Sequence, residues 1–177
     1  MCNGLEKKGF LSKVEIANCL GCPSEERLKE GPVAFIECTQ EIPCNPCEAA
    51  CPFNAIHVGE PITNLPVLDE KKCKGCGLCI ASCPGLAIFL VDYTYSNDEA
   101  LISFPHEYLT LPKINDQIEA VDREGKVVIK GTVIKVNNSK KNDRTSIISI
   151  TIPKKWALKA RGMKRLTKDK INWEDTL

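Results

Sequence analysis

Cys73-Lys74-Gly75-Cys76-Gly77-Leu78-Cys79-Ile80-Ala81-Ser82-Cys83-Pro84 is the stretch that decides the fold: four thiols separated by two, two and three residues, ending on a proline. It has a partner upstream. Cys44-Asn45-Pro46-Cys47-Glu48-Ala49-Ala50-Cys51-Pro52-Phe53-Asn54-Ala55-Ile56 aligns with Cys76–Ile88 at an offset of 32, and seven of thirteen positions are identical. Such self-similarity marks a duplicated unit. Eight of the chain's 11 cysteines fall between Cys38 and Cys83.

The spacing has a physical meaning. Three thiolates two residues apart reach three irons of one [4Fe–4S] cubane when the backbone wraps around it as a tight loop, and the fourth cysteine is carried away toward another cluster. Gly75 and Gly77 let the backbone come close and are expected to aim N–H groups at the sulfurs. Zinc is the competing reading. It takes four ligands in two pairs and leaves the third cysteine and the Cys-Pro of both copies unexplained.

On these residues, 33–91 resembles a two-cluster bacterial-type ferredoxin domain. The resemblance implies two [4Fe–4S] clusters with crossed ligation: Cys73, Cys76, Cys79 and Cys51 on one, Cys44, Cys47 and Cys83 on the other. It also implies pairing of Val33–Glu37 with Ile88–Val91 and of Ile56–Val58 with Val67–Leu68. Phe53, Ile56 and Ile88 then either pack on the clusters or fill an ordinary core. The family expects a further cysteine at Glu41, where this chain has none. Cys38 is the preferred substitute, with Pro43 kinking the extra residues of Cys38-x5-Cys44 outward. A three-iron cluster, or a ligand from Cys19 or Cys22, are the alternatives.

Cys19-Leu20-Gly21-Cys22-Pro23 is a separate CxxC, and Cys2 stands alone. These are too few thiols for a complete metal site, so free thiols, a redox pair and a share in a partner's site all stay open. His57 and His106 have no ligand spacing and read as loop or surface residues. There is no glycine-rich phosphate cradle, nucleophile elbow or suggestive carboxylate pair, so the chain is expected to move electrons without catalytic residues of its own.

The 177 residues carry 24 Lys+Arg and 23 Asp+Glu, a formal +1 that hides a gradient. Residues 1–122 hold 9 basic and 18 acidic side chains, and residues 123–170 hold 15 and 3. The apolar run Ala87–Val91, with Leu86 before it, is far below the ~20 residues of a membrane span. No apolar stretch follows a basic one at the N-terminus, so a cytoplasmic, reducing location is expected. The expected architecture is α+β. It has a helical extension (1–32, with Ser24 capping its second helix), the ferredoxin-like domain (33–91), a linker (92–107) and a small antiparallel β-barrel-like domain (108–177). Strands are expected at Gln117–Val121, Val127–Val136 (with a bend or bulge at Gly131) and Ser146–Ile152. A basic helix over Lys154–Leu166, with Trp156, Ala160 and Met163 on one stripe, is expected to follow.

About 30 residues before the cysteine region and about 85 after it exceed what a free ferredoxin needs, which favours a docked subunit of a heteromeric complex. Pro23–Val33 running into Ile36-Glu37-Cys38, Pro43–Glu48, and Gly125–Val133 together resemble a family of dicluster iron–sulfur proteins. They occur beside FAD-dependent dehydrogenases of the proline, hydroxyproline and opine type. That resemblance implies flavin-containing dehydrogenase subunits as partners, with the amino-acid or amine substrate oxidised there. A stand-alone carrier is the alternative. Nucleic-acid binding through Lys140-Lys141, Arg144, Lys154-Lys155 and Lys164-Arg165 is disfavoured, because only Trp156 and Trp173 are available for base stacking.

Overall fold

The computed structural model describes residues 4–166. Two short helices, α1 (Gly4–Lys8) and α2 (Lys13–Ala17), lead to α3 (Glu25–Leu28). The cysteine region contributes β1 (Val33–Ile36), α4 (Pro46–Ala49), β2 (Ile56–His57), β3 (Val67–Leu68), α5 (Leu78–Ser82) and β4 (Ile88–Asp92). Five strands follow: β5 (Glu99–His106), β6 (Gln117–Val121), β7 (Val127–Asn137), β8 (Ser146–Pro153) and β9 (Gly162–Met163). The expected N-terminal helix is split. Ser12 starts α2 with a capping box, its hydroxyl taking the Glu15 N–H while Glu15 reaches back to the Ser12 N–H at 2.7 Å. Ser24 caps α3 as its sequence position predicts.

Seven strands make one antiparallel sheet in the order β1-β4-β5-β8-β7-β6-β9, and β2-β3 form a separate hairpin. The fold is thus α+β, but the sheet is open, with β1 and β9 at its edges. This corrects the barrel expectation. β8 lies centrally, and its residues Ser146–Ile152 are buried throughout. Ile148, Ile150 and Ile152 pack with Ile102 and Phe104 of β5 in the core, each buried aliphatic side chain contributing about 2 kcal/mol. The two serine hydroxyls on the facing strands, Ser103 and Ser149, satisfy each other at 2.8 Å.

Three further expectations are corrected. Residues 92–107 contain β5, which pairs with β4 on one side and β8 on the other, so the sheet runs across the expected linker. The basic helix does not form: a 3-10 turn at Lys154–Trp156 leads through further turns into β9, where Met163 pairs with Ala120. Gly131 is not a bulge. The register shift of β7 lies between Val133 and Lys135, and a Cβ at Gly131 would stand 2.8 Å from Ile152 Cγ2 and 3.0 Å from Thr151 O. Cys2 and the basic residues Lys168 and Lys170, with Trp173, lie outside the described residues.

Candidate metal centre

The duplication seen in the sequence is also a duplication of backbone geometry. β1 and β4 pair Ile36 with Ile88 and Phe35 with Phe89. β3 and β2 repeat that register with every residue displaced by 32, pairing Leu68 with Ile56 and Val67 with His57. After each Cys-Pro the chain makes the same turn. Asn54 and Leu86 both take left-handed φ values, 48° and 52°, and their N–H groups reach back to Cys51 O at 3.2 Å and Cys83 O at 3.1 Å. A left-handed leucine is unfavourable on its own. What it achieves is direction: the next N–H in each copy points at a sulfur, Ala55 to Cys51 Sγ at 3.3 Å and Ala87 to Cys83 Sγ at 3.4 Å.

Two cavities flank this repeat. One is lined by Cys51, Cys73, Cys76 and Cys79, with Phe53 and Ile56. The other, a more open recess, is lined by Cys38, Cys44, Cys47 and Cys83, with Ile36 and Ile88. The eight cysteines thus line two cavities, four to each, with Cys38 on the second. The α4 and α5 turns direct Cys47 and Cys79 inward, where both are buried, while Cys76 stays exposed. Gly75 is required by close approach, because a Cβ there would lie 2.5 Å from Pro32 O, and its φ is 63°.

The donor sets fit [4Fe–4S] clusters. Among the described residues no three Cys, His, Asp or Glu side chains converge on one ion. Burial, together with neighbouring cysteines, pushes the Cys79 thiol up to about 12 and the Cys47 thiol up to about 11. Burial and the nearby Cys83 and Cys38 raise Cys44 as well. Crowded, desolvated thiols of this kind become stable thiolates only against a cationic core.

The N–H donors to sulfur differ from the expected ones. Among the described residues they come from Ala34 (to Cys73, 3.5 Å), Ala55 and Ala87 rather than from Gly75 or Gly77. Arg27 was not visible as a site residue. It is buried and donates to four carbonyls: Glu70 at 2.9 Å, Gly31 and Pro32 at 3.1 Å, and Cys73 at 2.8 Å. It thereby pins the loop that presents Cys73. Its partners include residues more than forty positions away, so no local pattern points to it. Ser24 adds to the clamp by donating its N–H and hydroxyl to Glu70 at 2.6 and 2.9 Å. His57 is exposed, but His106, expected at the surface, is buried at the end of β5 with its ring edge-on to Tyr108.

The CxxC lies apart from both cavities. Its Cys19 and Cys22 thiols approach Ile36 O at 3.3 and 4.0 Å and lie within hydrogen-bonding reach of each other. The bond from Cys22 brings Cys19 down to about 6, and the same bond, with burial, pushes Cys22 well above the thiol range.

The family described as the 4Fe-4S dicluster domain matches residues 36–87. The chain is 47% identical over 45 residues to one subunit of the Na(+)-translocating ferredoxin:NAD(+) oxidoreductase complex of Acetobacterium woodii, covering 25% of this chain and 13% of that one. It is likewise 47% identical over 45 residues to the polyferredoxin-like subunit of an aliphatic sulfonate oxidoreductase of Pyrococcus furiosus, covering 25% of each. An uncharacterized ferredoxin of Methanocaldococcus jannaschii is 32% identical over 99 residues, covering 50% of this chain and 58% of that one. The chain thus spans less than two thirds of each of these relatives. No solved structure matches it. A 4Fe–4S dicluster ferredoxin domain is present, two [4Fe–4S] clusters are its cofactors, and relatives are subunits of oxidoreductase complexes.

Proposed function

We propose that this chain relays single electrons as the iron–sulfur subunit of a multi-subunit oxidoreductase, with one cluster on Cys51, Cys73, Cys76 and Cys79 and the other on Cys38, Cys44, Cys47 and Cys83. The observation that carries this reading is the grouping of the eight cysteines into two four-thiol cavities related by a repeated hairpin register. A [4Fe–4S] cluster, when bound, changes its charge by one electron with little movement of its ligands. The residues of the chain then do the remaining work. Arg27 and the left-handed turns at Asn54 and Leu86 hold the thiolates in place, while Ile56, Ile80 and Ile88 exclude water behind them.

We further propose that the catalytic partner is a flavin-bearing dehydrogenase acting on an amino acid or related amine. A reduced flavin holds two electrons and each cluster takes one, so a two-cluster relay suits stepwise unloading. The stretches Pro23–Cys38 and Gly125–Val133 support that partner. Among the described residues no helix is long and apolar enough to cross a membrane, so attachment through a protein partner is preferred.

Tagged chain expressed anaerobically in its native host tests both parts. About eight irons per chain support the ligand assignment, and about seven remove Cys38 from it. A co-purifying subunit with bound flavin supports the dehydrogenase partner. A monomer that passes electrons to generic acceptors would leave a stand-alone carrier and end the subunit reading.

A further inference from the structure

The Cys19–Cys22 turn occupies a singular position in the duplicated domain. Its two middle carbonyls are used in matching ways by the two copies. Gly21 O accepts the Ile36 N–H at 2.9 Å, and Leu20 O accepts the Leu68 N–H at 3.0 Å. Ile36 and Leu68 are equivalent residues of the repeat, paired with Ile88 and Ile56 respectively. The turn therefore bridges the two halves that carry the clusters.

Gly21 is fixed by that contact, since a Cβ would lie 2.4 Å from Ile36 O. Ile36 is the shared wall. It lines the cavity of Cys38, Cys44, Cys47 and Cys83, and its carbonyl oxygen lies 3.3 Å from Cys19 Sγ and 4.0 Å from Cys22 Sγ. One residue separates the thiol pair from a cluster site.

The pair has the geometry and surroundings of a redox dithiol. The Cys22 N–H bonds to Cys19 O at 3.0 Å, closing a four-residue turn. Turns of this kind hold their end Cα atoms within about 7 Å, near the range a disulfide spans. Cys19 is half-buried and Leu20 beside it is exposed, so the turn can be reached from solvent. The buried Arg161 acts electrostatically on Cys22, and its Nη2 has no hydrogen-bond partner among the described residues.

We propose that Cys19 and Cys22 form a third, two-electron redox centre, a dithiol that closes to a disulfide and is reopened by electrons from the two clusters. The inference rests on the two-cluster reading above. Closing breaks two S–H bonds and forms one S–S bond by thiol–disulfide exchange with an external disulfide, whose S–S bond breaks as it takes up the two protons and two electrons and leaves as two thiols. Reopening consumes two protons from solvent and two electrons, one from each reduced cluster, which return to their oxidised state. The chain then joins one-electron to two-electron chemistry within itself and accepts about four electrons instead of about two.

The test compares anaerobic holoprotein with a Cys19→Ser/Cys22→Ser double variant. Both are treated with diamide, desalted, and reduced by light pulses with a deazaflavin in the absence of thiols. In wild type a Cys19–Cys22 crosslinked peptide is expected by mass spectrometry. Cluster absorbance should bleach and then recover in the dark as the crosslink disappears. Full reduction should take about four electron equivalents, against about two and a persistent bleach in the variant. Failure of the wild type to form the crosslink, or a bleach that persists equally in both proteins, overturns the proposal. So does loss of iron in the variant alone, which would make these cysteines ligands. About eight irons in both proteins keep the cluster reading intact whichever way the thiols behave, whereas an iron-poor wild type overturns that reading and this one together.

Discussion

Residue by residue, the two halves are not equal, and the inequality has a consequence for the clusters. The cavity of Cys73 receives two backbone N–H···S bonds, from Ala34 and Ala55, and that of Cys44 receives one, from Ala87. The counterpart of Ala34 at the offset of 32 is Pro66, which lines the Cys44 cavity and has no N–H. Hydrogen bonds to sulfur stabilise the more negative, reduced cluster. The cluster on Cys38, Cys44, Cys47 and Cys83 is therefore expected to have the lower potential. Redox titration followed by electron paramagnetic resonance, with each cluster marked by a ligand variant, checks this order, and the reverse order would refute it. Pro66→Ala is expected to narrow the gap. Arg27 offers a second check. Arg27→Met leaves four carbonyls without their shared donor and should cost about 3 kcal/mol. Iron on the Cys73 loop should be lost first, measured as faster bleaching in the presence of a chelator. The cysteines that line the two cavities were legible because their spacing is local. Arg27 and the alanine donors were not, because long-range clamps and left-handed turns set their roles.

At the level of elements, legibility followed how far each strand's pattern survived its punctuation. β6, β7 and β8 are runs of Ile and Val between turn signals, and they form where their sequence predicts. β5 is preceded by Ser96-Asn97-Asp98 and contains Pro105, which together read as a loop. The alternation of Ala100, Ile102, Phe104 and His106 is nevertheless that of a buried face. Pro105 is tolerated because it lies past the end of the β4 ladder, where β5 has a partner only on the β8 side. The C-terminal stripe misled for a different reason. Of Trp156, Ala160 and Met163, the last two are buried while Trp156 is only partly so, and Ala157 takes its place, a spacing of three that tight turns share with helices. Pairing of Met163 with Ala120, and Arg161 turned inward, settle the outcome. β5 also carries His106 to a site where its Nε2 lacks a partner among the described residues. Burial holds this imidazole below its ordinary 6.5, partly offset by a backbone hydrogen bond at Thr110. Protons then bind more readily to the unfolded chain. The stability from a neutral His106 is complete above about pH 6.5 and falls as pH drops through the depressed folded value. Denaturant midpoints between pH 7.5 and 5.5 should decline, and His106→Phe should flatten that decline.

For the whole molecule, the near-neutral formal charge is misleading. Each oxidised [4Fe–4S] core with four thiolates carries about −2, so two of them bring the chain to about −3 and residues 1–122 to about −13. The basic segment is tied to this acidic part by the continuous sheet and by one buried ion cluster. Glu37, which follows β1 and takes its place in the chain with an N–H bond to Ala87 O at 2.8 Å, accepts from Arg123 Nε at 2.7 Å and from Arg161 Nε at 2.6 Å. The Arg161 guanidinium lies over the rings of Phe35 and Phe89, its carbon 5.2 Å from each ring centroid, and those two residues are partners across the β1–β4 pair. The side chains of Glu37 and Arg161 are only 8% and 4% exposed, so removing one partner strands charge away from water, which costs far more than an exposed pair would. Glu37→Gln keeps the shape and removes the charge that balances two guanidiniums. It is expected to cost about 3–5 kcal/mol. Because Glu37 joins the cluster-bearing hairpin to β6 and the C-terminal turns, that loss should appear simultaneously in cluster absorbance and in the β-sheet signal of circular dichroism during denaturant unfolding. Two separate transitions, or a midpoint unchanged from wild type, would show that the halves are held together without this cluster; Arg161→Met, which replaces a buried charge with an apolar side chain over the same two rings, should be less damaging than Glu37→Gln if unbalanced positive charge is the cause.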